Sequence, residues 1–244
     1  MCAHFKKKGC CFVTIKIVGI ISSPRHQGNT AFLVRKALAG AKNNDAEVEE
    51  IFLPEYNLEF CKGCFTCLRE GKCSTADDLE TLREKLILSD GIIVSSPTHG
   101  LEPNAIMKNF MDRIGLFSVY TSLLADKYVA SISTTGSIGA KKVAKKMTNI
   151  NGGFMKTGYF SGILGIAIDW DHVKNYPEHL DKAYSLGETL VDDIRNEKKY
   201  YTQKLFTKII NALIIKKIMK KNILEHKDDR MKAVYNYLVK EGEF

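Results

Sequence analysis

Four cysteines stand within thirteen residues, in the order Cys61-x2-Cys64-x2-Cys67-x5-Cys73. Two-residue intervals let the backbone curl so that successive sulfurs come together, and four thiolates on one short loop can surround a single metal centre. Three cysteines two residues apart, with a fourth a few residues on, is close to the spacing that holds an iron-sulfur cluster in ferredoxins. A [4Fe-4S] cluster on Cys61, Cys64, Cys67 and Cys73 is therefore the first expectation. Zinc is the rival, although structural zinc sites usually draw on two separated pairs and no second pair follows here. Metal-free thiols, structural or redox, are the third reading, since spacing does not report occupancy. Cys2, Cys10 and Cys11 make an odd total of seven and follow no regular pattern. That is not a secreted disulfide framework, and a cytoplasmic location is expected.

Three further stretches combine glycine and hydroxyls at the start of a helix. Ser22-Ser23-Pro24-Arg25-His26-Gln27-Gly28-Asn29-Thr30 can wrap a phosphate with backbone N–H groups, hydroxyls and a guanidinium, while the helix dipole favours the negative charge. The same residues would also make an ordinary N-capped turn, with Asn29 or Thr30 as the cap. Between two prolines, Pro97, Thr98, His99 and Gly100 form a restricted loop whose glycine lets the backbone come close to a flat ligand. Thr134-Thr135-Gly136-Ser137-Ile138-Gly139 is another glycine-hydroxyl turn. No side chain in these stretches reads as a general acid or nucleophile, so no catalytic residue is assigned.

Loops of this kind need strands to end on, and the pattern supplies them. Val13 to Ile21, Glu47 to Leu53, Gly91 to Ser95, Lys127 to Thr134 and Ile163 to Ile168 read as strands from their β-branched content and bounding turns. Thr30 to Ala41, a segment opening at Asp77-Asp78, one running to about Phe117, Gly139 to Thr148 and Pro177 to Arg195 read as helices. Strand and helix alternate five times, which predicts a parallel sheet with helices on both faces. In such a sheet ligands bind beyond the carboxyl ends of the strands, where the three loops fall.

Taken together, these residues resemble the flavodoxin-like NAD(P)H-dependent FMN reductases. Gly19 to Thr30 is similar to that family's Gly-x-x-x-Ser-Pro-Arg…Gly-Asn-Thr stretch, and Ser96-Pro97 with Lys108, Asp112 and Arg113 reproduces a second stretch after strand three. Within the family, the compact cysteine run resembles that of the iron-sulfur flavoproteins. The resemblance covers about residues 13 to 195. It implies a flavodoxin-like, doubly wound five-stranded sheet in the order 2-1-3-4-5. It also implies that Ser22, Arg25, Gly28, Asn29 and Thr30 hold the FMN phosphate, with Pro97, Thr98, His99 and Gly100 along the isoalloxazine and Thr134, Thr135 and Gly136 along its other edge. Relatives often carry an aromatic residue near position 99, and histidine there turns the position toward a polar role. Lys108, Asp112 and Arg113 are expected to form a structural ion-pair set.

The division expected is an N-terminal segment 1–12, an FMN-binding domain 13–195 with its cysteine loop at 54–76, and a helical extension 196–244. The net charge of +8 lies wholly between Arg195 and Lys221, where Glu197 is the only acid, and the rest of the chain is neutral. A nucleic-acid-binding body is excluded by that distribution. No signal peptide is read near the start, and no apolar run is long enough to span a bilayer. In the extension Leu205, Ile209 and Leu213, and beside them Phe206, Ile210, Ile214 and Ile218, recur every four residues among lysines, which gives a basic amphipathic helix. It would pack on its own body or a sister subunit, dock an acidic protein such as ferredoxin, or lie on an anionic membrane.

The function expected is an FMN oxidoreductase with a cluster, taking electrons from ferredoxin or NAD(P)H to a small acceptor, an oxygen species, a quinone or a xenobiotic. A homodimer or homotetramer is expected by resemblance. A cluster-free flavin or quinone reductase and an FMN-binding electron carrier or redox sensor are the alternatives.

Overall fold

Runs of isoleucine and valine that bury both faces need a layer of helices on each side, and the chain supplies them. The computed structural model describes residues 14–203 and 205–244, with the backbone alone at 206–208 and 211–212. Cys2, Cys10, Cys11 and the segment 1–12 lie outside the described residues.

The sheet contains β1 (Lys16–Ile21), β2 (Glu47–Phe52), β3 (Gly91–His99), β4 (Glu102–Pro103), β5 (Tyr128–Thr135) and β6 (Phe160–Ala167). Its order is β2-β1-β3-β5-β6, with all of these neighbours parallel, and the two-residue β4 pairs antiparallel with β3. Setting that hairpin strand aside, the order is the expected 2-1-3-4-5.

Helices α1 (Asn29–Asn43) and α6 (Pro177–Arg195) cover one face, and α3 (Leu79–Leu88), α4 (Ala105–Thr121) and α5 (Ala140–Met147) the other. Alternate strand residues feed the two cores. Ile17, Ile21 and Ile93 pack with Leu33, Val34 and Leu190, whereas Val18, Ile20 and Ile92 pack with Leu82, Met107 and Phe110. The α1–α6 contact is tight enough that a Cβ on Gly187 would lie 1.8 Å from the Ala37 carbonyl oxygen.

The chain continues through α7 (Leu205–Ile210), a π-helical stretch Asn211–Ile215, α8 (Lys216–Glu225) and α9 (Lys232–Lys240). Inside the cysteine loop a short helix, α2 (Thr66–Glu70), forms that the sequence pattern does not announce. Leu68 of α2, Phe117 of α4, Ile223 of α8 and Val234 and Leu238 of α9 make a third buried cluster. The end of the extension thus packs across the cysteine loop. At its beginning the apolar side chains stay open within this chain: Leu205, Ile209, Leu213, Ile214 and Ile218 are between 48% and 62% exposed. Among the described residues no helix is long and apolar enough to cross a membrane.

Candidate functional site

After β1 the chain turns sharply, with the Gly28 N–H donating to the Arg25 carbonyl (3.0 Å) and the Arg25 N–H donating to the Ser23 hydroxyl (3.2 Å). Gly28 is then the N-cap of α1 and no side chain caps the helix. Both residues that could have capped it are committed elsewhere. Asn29 donates to the Asp171 carbonyl (3.1 Å) and accepts from the Val173 N–H (2.9 Å), which ties the loop after β6 to α1. The Thr30 and Thr134 hydroxyls are buried against each other at 2.7 Å. The first N–H groups of α1 are therefore open to an anion, and the exposed Arg25 guanidinium has no hydrogen-bond or ion-pair partner among the described residues. That combination fits a phosphate. Ser22 stands behind the loop, buried, with its hydroxyl within 3.0 Å of the Ser95 carbonyl and 2.9 Å of Asn104 Oδ1.

The stretch from Pro97 is a hairpin where the sequence predicted a loop. β3 runs on through His99, reverses at Gly100 and Leu101 (φ +57° and +64°) and returns as β4. Positive φ at both central residues is the twist a two-residue hairpin needs, and glycine meets it without strain. Pro97 is aligned with Thr134 of β5, and the Thr98 hydroxyl lies 2.8 Å from that of Ser133. His99 is exposed beside the turn. A Cβ added to Gly100 or Gly136 would meet nothing within 4 Å, so both face open space. Pro97 to Gly100 and Thr134 to Gly136 thus lie side by side at the strand ends, joined to the first loop through Thr30.

Asn104, to which the sequence reading gave no role, holds this end of the sheet together. It is buried, caps α4 by accepting from the Met107 N–H (3.0 Å), donates from its side-chain amide to the Ser22 carbonyl (2.8 Å), and donates from its own backbone N–H to the Ser96 hydroxyl oxygen (2.9 Å). An asparagine just before a helical run is a cap signal, which marks the position but not its reach to Ser22 and Ser96.

The cysteine loop is fastened at its ends. The Asn57 and Glu59 N–H groups donate to Asp78 (2.7 Å) and Asp77 (2.9 Å), and Asn109 of α4 bonds both the Leu58 and Glu59 carbonyls (3.2 Å each). Asp77 and Asp78 act here rather than inside the first helical turn, and α3 begins after them. The loop tip carries left-handed residues Gly63 (φ +63°) and Phe65 (φ +56°) and is exposed. All four cysteines line one small pocket together with Phe65, Arg113 and Leu116. Burial, followed by the charges of Cys73, Cys64 and Cys61, pushes the Cys67 thiol up to about 11. Hydrogen bonds from Ser74 and Thr66 bring the exposed Cys64 thiol down to about 7. Among the described residues no group of three His, Cys, Asp or Glu side chains is placed to hold a metal ion. The thiols share a pocket without converging on one point, and as four soft donors they suit iron and sulfide.

The expected ion-pair set divides in two. Lys108 pairs with Asp112 on the exposed face of α4, whereas Arg113 turns inward to Asp77, both side chains almost fully buried. The separation of one turn decides this, because residues four apart share a helix face and the next residue does not.

A sheet in this order, with its loops gathered at the strand ends, belongs to the flavodoxin-like class. The NADPH-dependent FMN reductase family model matches residues 15–182, and the chain belongs to that family. Within it the chain falls in the iron-sulfur flavoprotein subgroup. An iron-sulfur flavoprotein of Archaeoglobus fulgidus is 32% identical over 189 residues, covering 76% of this chain and 82% of the relative. A second from the same organism is 28% identical, covering 73% and 94%. In fold, the chain is similar to RosB, solved with 8-demethyl-8-formylriboflavin-5'-phosphate bound, at TM-score 0.59 and 15% identity over 82% of this chain and 87% of that one. Family membership makes the chain an FMN-dependent oxidoreductase.

Proposed function

We propose that the chain holds FMN across the three strand-end loops and a [4Fe-4S] cluster on Cys61, Cys64, Cys67 and Cys73, and that it carries electrons from reduced ferredoxin or NAD(P)H to a small acceptor. When bound, FMN takes electrons singly or in pairs and the cluster takes them singly, so the two together join unlike redox partners. The observation that carries this reading is a shared helix. Asn104, the N-cap of α4, organises the strand-end loops, and Arg113, nine residues on, borders the cysteine pocket. That separation is about 14 Å of helix axis.

The open N–H groups of α1 and the Arg25 guanidinium would hold the phosphate, with Gly28 keeping the turn tight. Pro97, Thr98, His99 and Gly100 would border one edge of the flavin ring and Thr135 and Gly136 the other. Ser22, Asn29, Thr30 and Thr134 would act through the scaffold, because their polar groups are already bonded to it. The lysines of the extension supply the positive surface an acidic ferredoxin would meet. Exposed Trp170 and Ile138, on adjoining strand-end loops, support a homodimer or homotetramer that covers them.

The test is the iron, acid-labile sulfide and flavin content of anaerobically prepared protein, followed by turnover with NADPH and with reduced ferredoxin. Iron, sulfide and FMN with turnover are expected. Flavin without iron would leave the cluster-free reductase. Both cofactors without turnover would leave a carrier or sensor.

A further inference from the structure

The buried cation beside the thiols has more donors than its visible partners use. Arg113 Nη1 and Nη2 grip Asp77 at 2.6 and 3.0 Å, Nη1 also donates to the Glu59 carbonyl, and Nη2 lies 3.3 Å from Cys73 Sγ. The Arg113 side chain is 1% exposed and the Asp77 side chain is fully buried. Arg113 Nε is buried and has no hydrogen-bond partner. The guanidinium also forms part of the wall of the cysteine pocket.

A two-point grip on a carboxylate fixes a planar guanidinium and leaves its remaining N–H groups aimed in set directions. An unanswered buried donor is uncommon and calls for an explanation. Hydrogen bonds to sulfur and nearby charge are among the factors that set an iron-sulfur potential. Adding an electron makes a thiolate-ligated cluster more negative, so a fixed N–H donor and a cation stabilise the reduced form more than the oxidised one.

We propose that Arg113 is a positioning and tuning residue for the cysteine centre, donating to the Cys73 thiolate and raising the centre's reduction potential, while Asp77 orients it. This rests on the cluster assignment above. Its sign follows from the charge, and a purely structural arginine would leave the potential where it was.

The experiment is a dye-equilibrated redox titration of the anaerobically prepared full chain, read at the cluster's EPR signal, with the FMN potential as internal control. Asp77→Asn with Arg113→Gln removes the cation without burying an unpaired carboxylate. We expect at least a tenfold shift of the one-electron equilibrium toward the oxidised cluster, about 59 mV lower, with the flavin potential unchanged. Should that double variant not load iron, Arg113→Lys keeps the charge but loses the planar fork, and a lowered potential is again expected. A loaded variant with the wild-type potential overturns the inference and leaves the cluster assignment standing. Wild-type protein without iron and sulfide brings down the assignment and the inference together.

Discussion

The strand-end cradle and the cysteine loop sit at opposite ends of the first half of α4, and they are built in opposite ways. In the cradle, buried hydroxyls and Asn104 bond one another across three loops, so its shape is set before any ligand arrives. In the loop, hydrogen bonds hold the ends while the tip, with Cys61, Cys64 and left-handed Phe65, lies exposed. A site made by the sheet needs its ligand only for function. A site made by a loop draws part of its order from what it binds, as metal sites commonly do.

The contrast breaks most sharply at a ligand. Cys67→Ser is expected to abolish iron and sulfide in anaerobic preparations while FMN content stays at the wild-type level. Loss of both cofactors would show that the two regions are one cooperative unit.

Asn104→Ala attacks the other side. It removes a helix cap and leaves the Ser22 carbonyl without the side-chain amide that donates to it, at a cost of about 3 kcal/mol in urea unfolding. FMN affinity should fall while iron retention holds.

Leu238→Ala thins the α9 cover over α2, where Leu68, Val234 and Leu238 meet. We expect about 2 kcal/mol of lost stability, read as faster hydrogen exchange across the cysteine loop with the central strands unchanged.

The smallest effect is a pH dependence. Burial raises the Asp77 carboxyl, but the Arg113 hydrogen bonds, together with the Leu79 and Glu59 N–H groups, outweigh it and hold the group below its ordinary range. A carboxyl depressed in the fold adds stability above its unfolded pKa and loses that contribution as pH falls through the folded value, here below about pH 4. The fall in urea midpoint between pH 5 and 3 should be shallower in Asp77→Asn than in wild type.

Much of this was legible in the sequence, because it depended on local patterns. Strand and helix positions follow from periodicity, and Pro177 to Arg195 is the helix as read. The cysteine spacing marked the loop, and the glycine-hydroxyl stretches marked the strand ends. The hairpin at His99 to Glu102 was missed because two prolines read as a loop, while antiparallel pairing with β4 depends on a turn conformation. The extension read as a basic amphipathic helix that would pack, dock a partner or lie on a membrane, and within this chain only its later part finds apolar partners.

Residue types and their order along the chain determined the class of fold and marked the cysteine loop and the strand-end loops, since helical and strand periods and short spacings are properties of neighbours. Only the tertiary structure decided that Asp77 belongs to Arg113, that Asn104 ties the loop after β1 to the end of β3, that α9 lies over the cysteine helix, and that Gly187 admits Ala37. Those pairings link residues far apart in sequence, and burial makes their partners matter, so no local pattern could announce them.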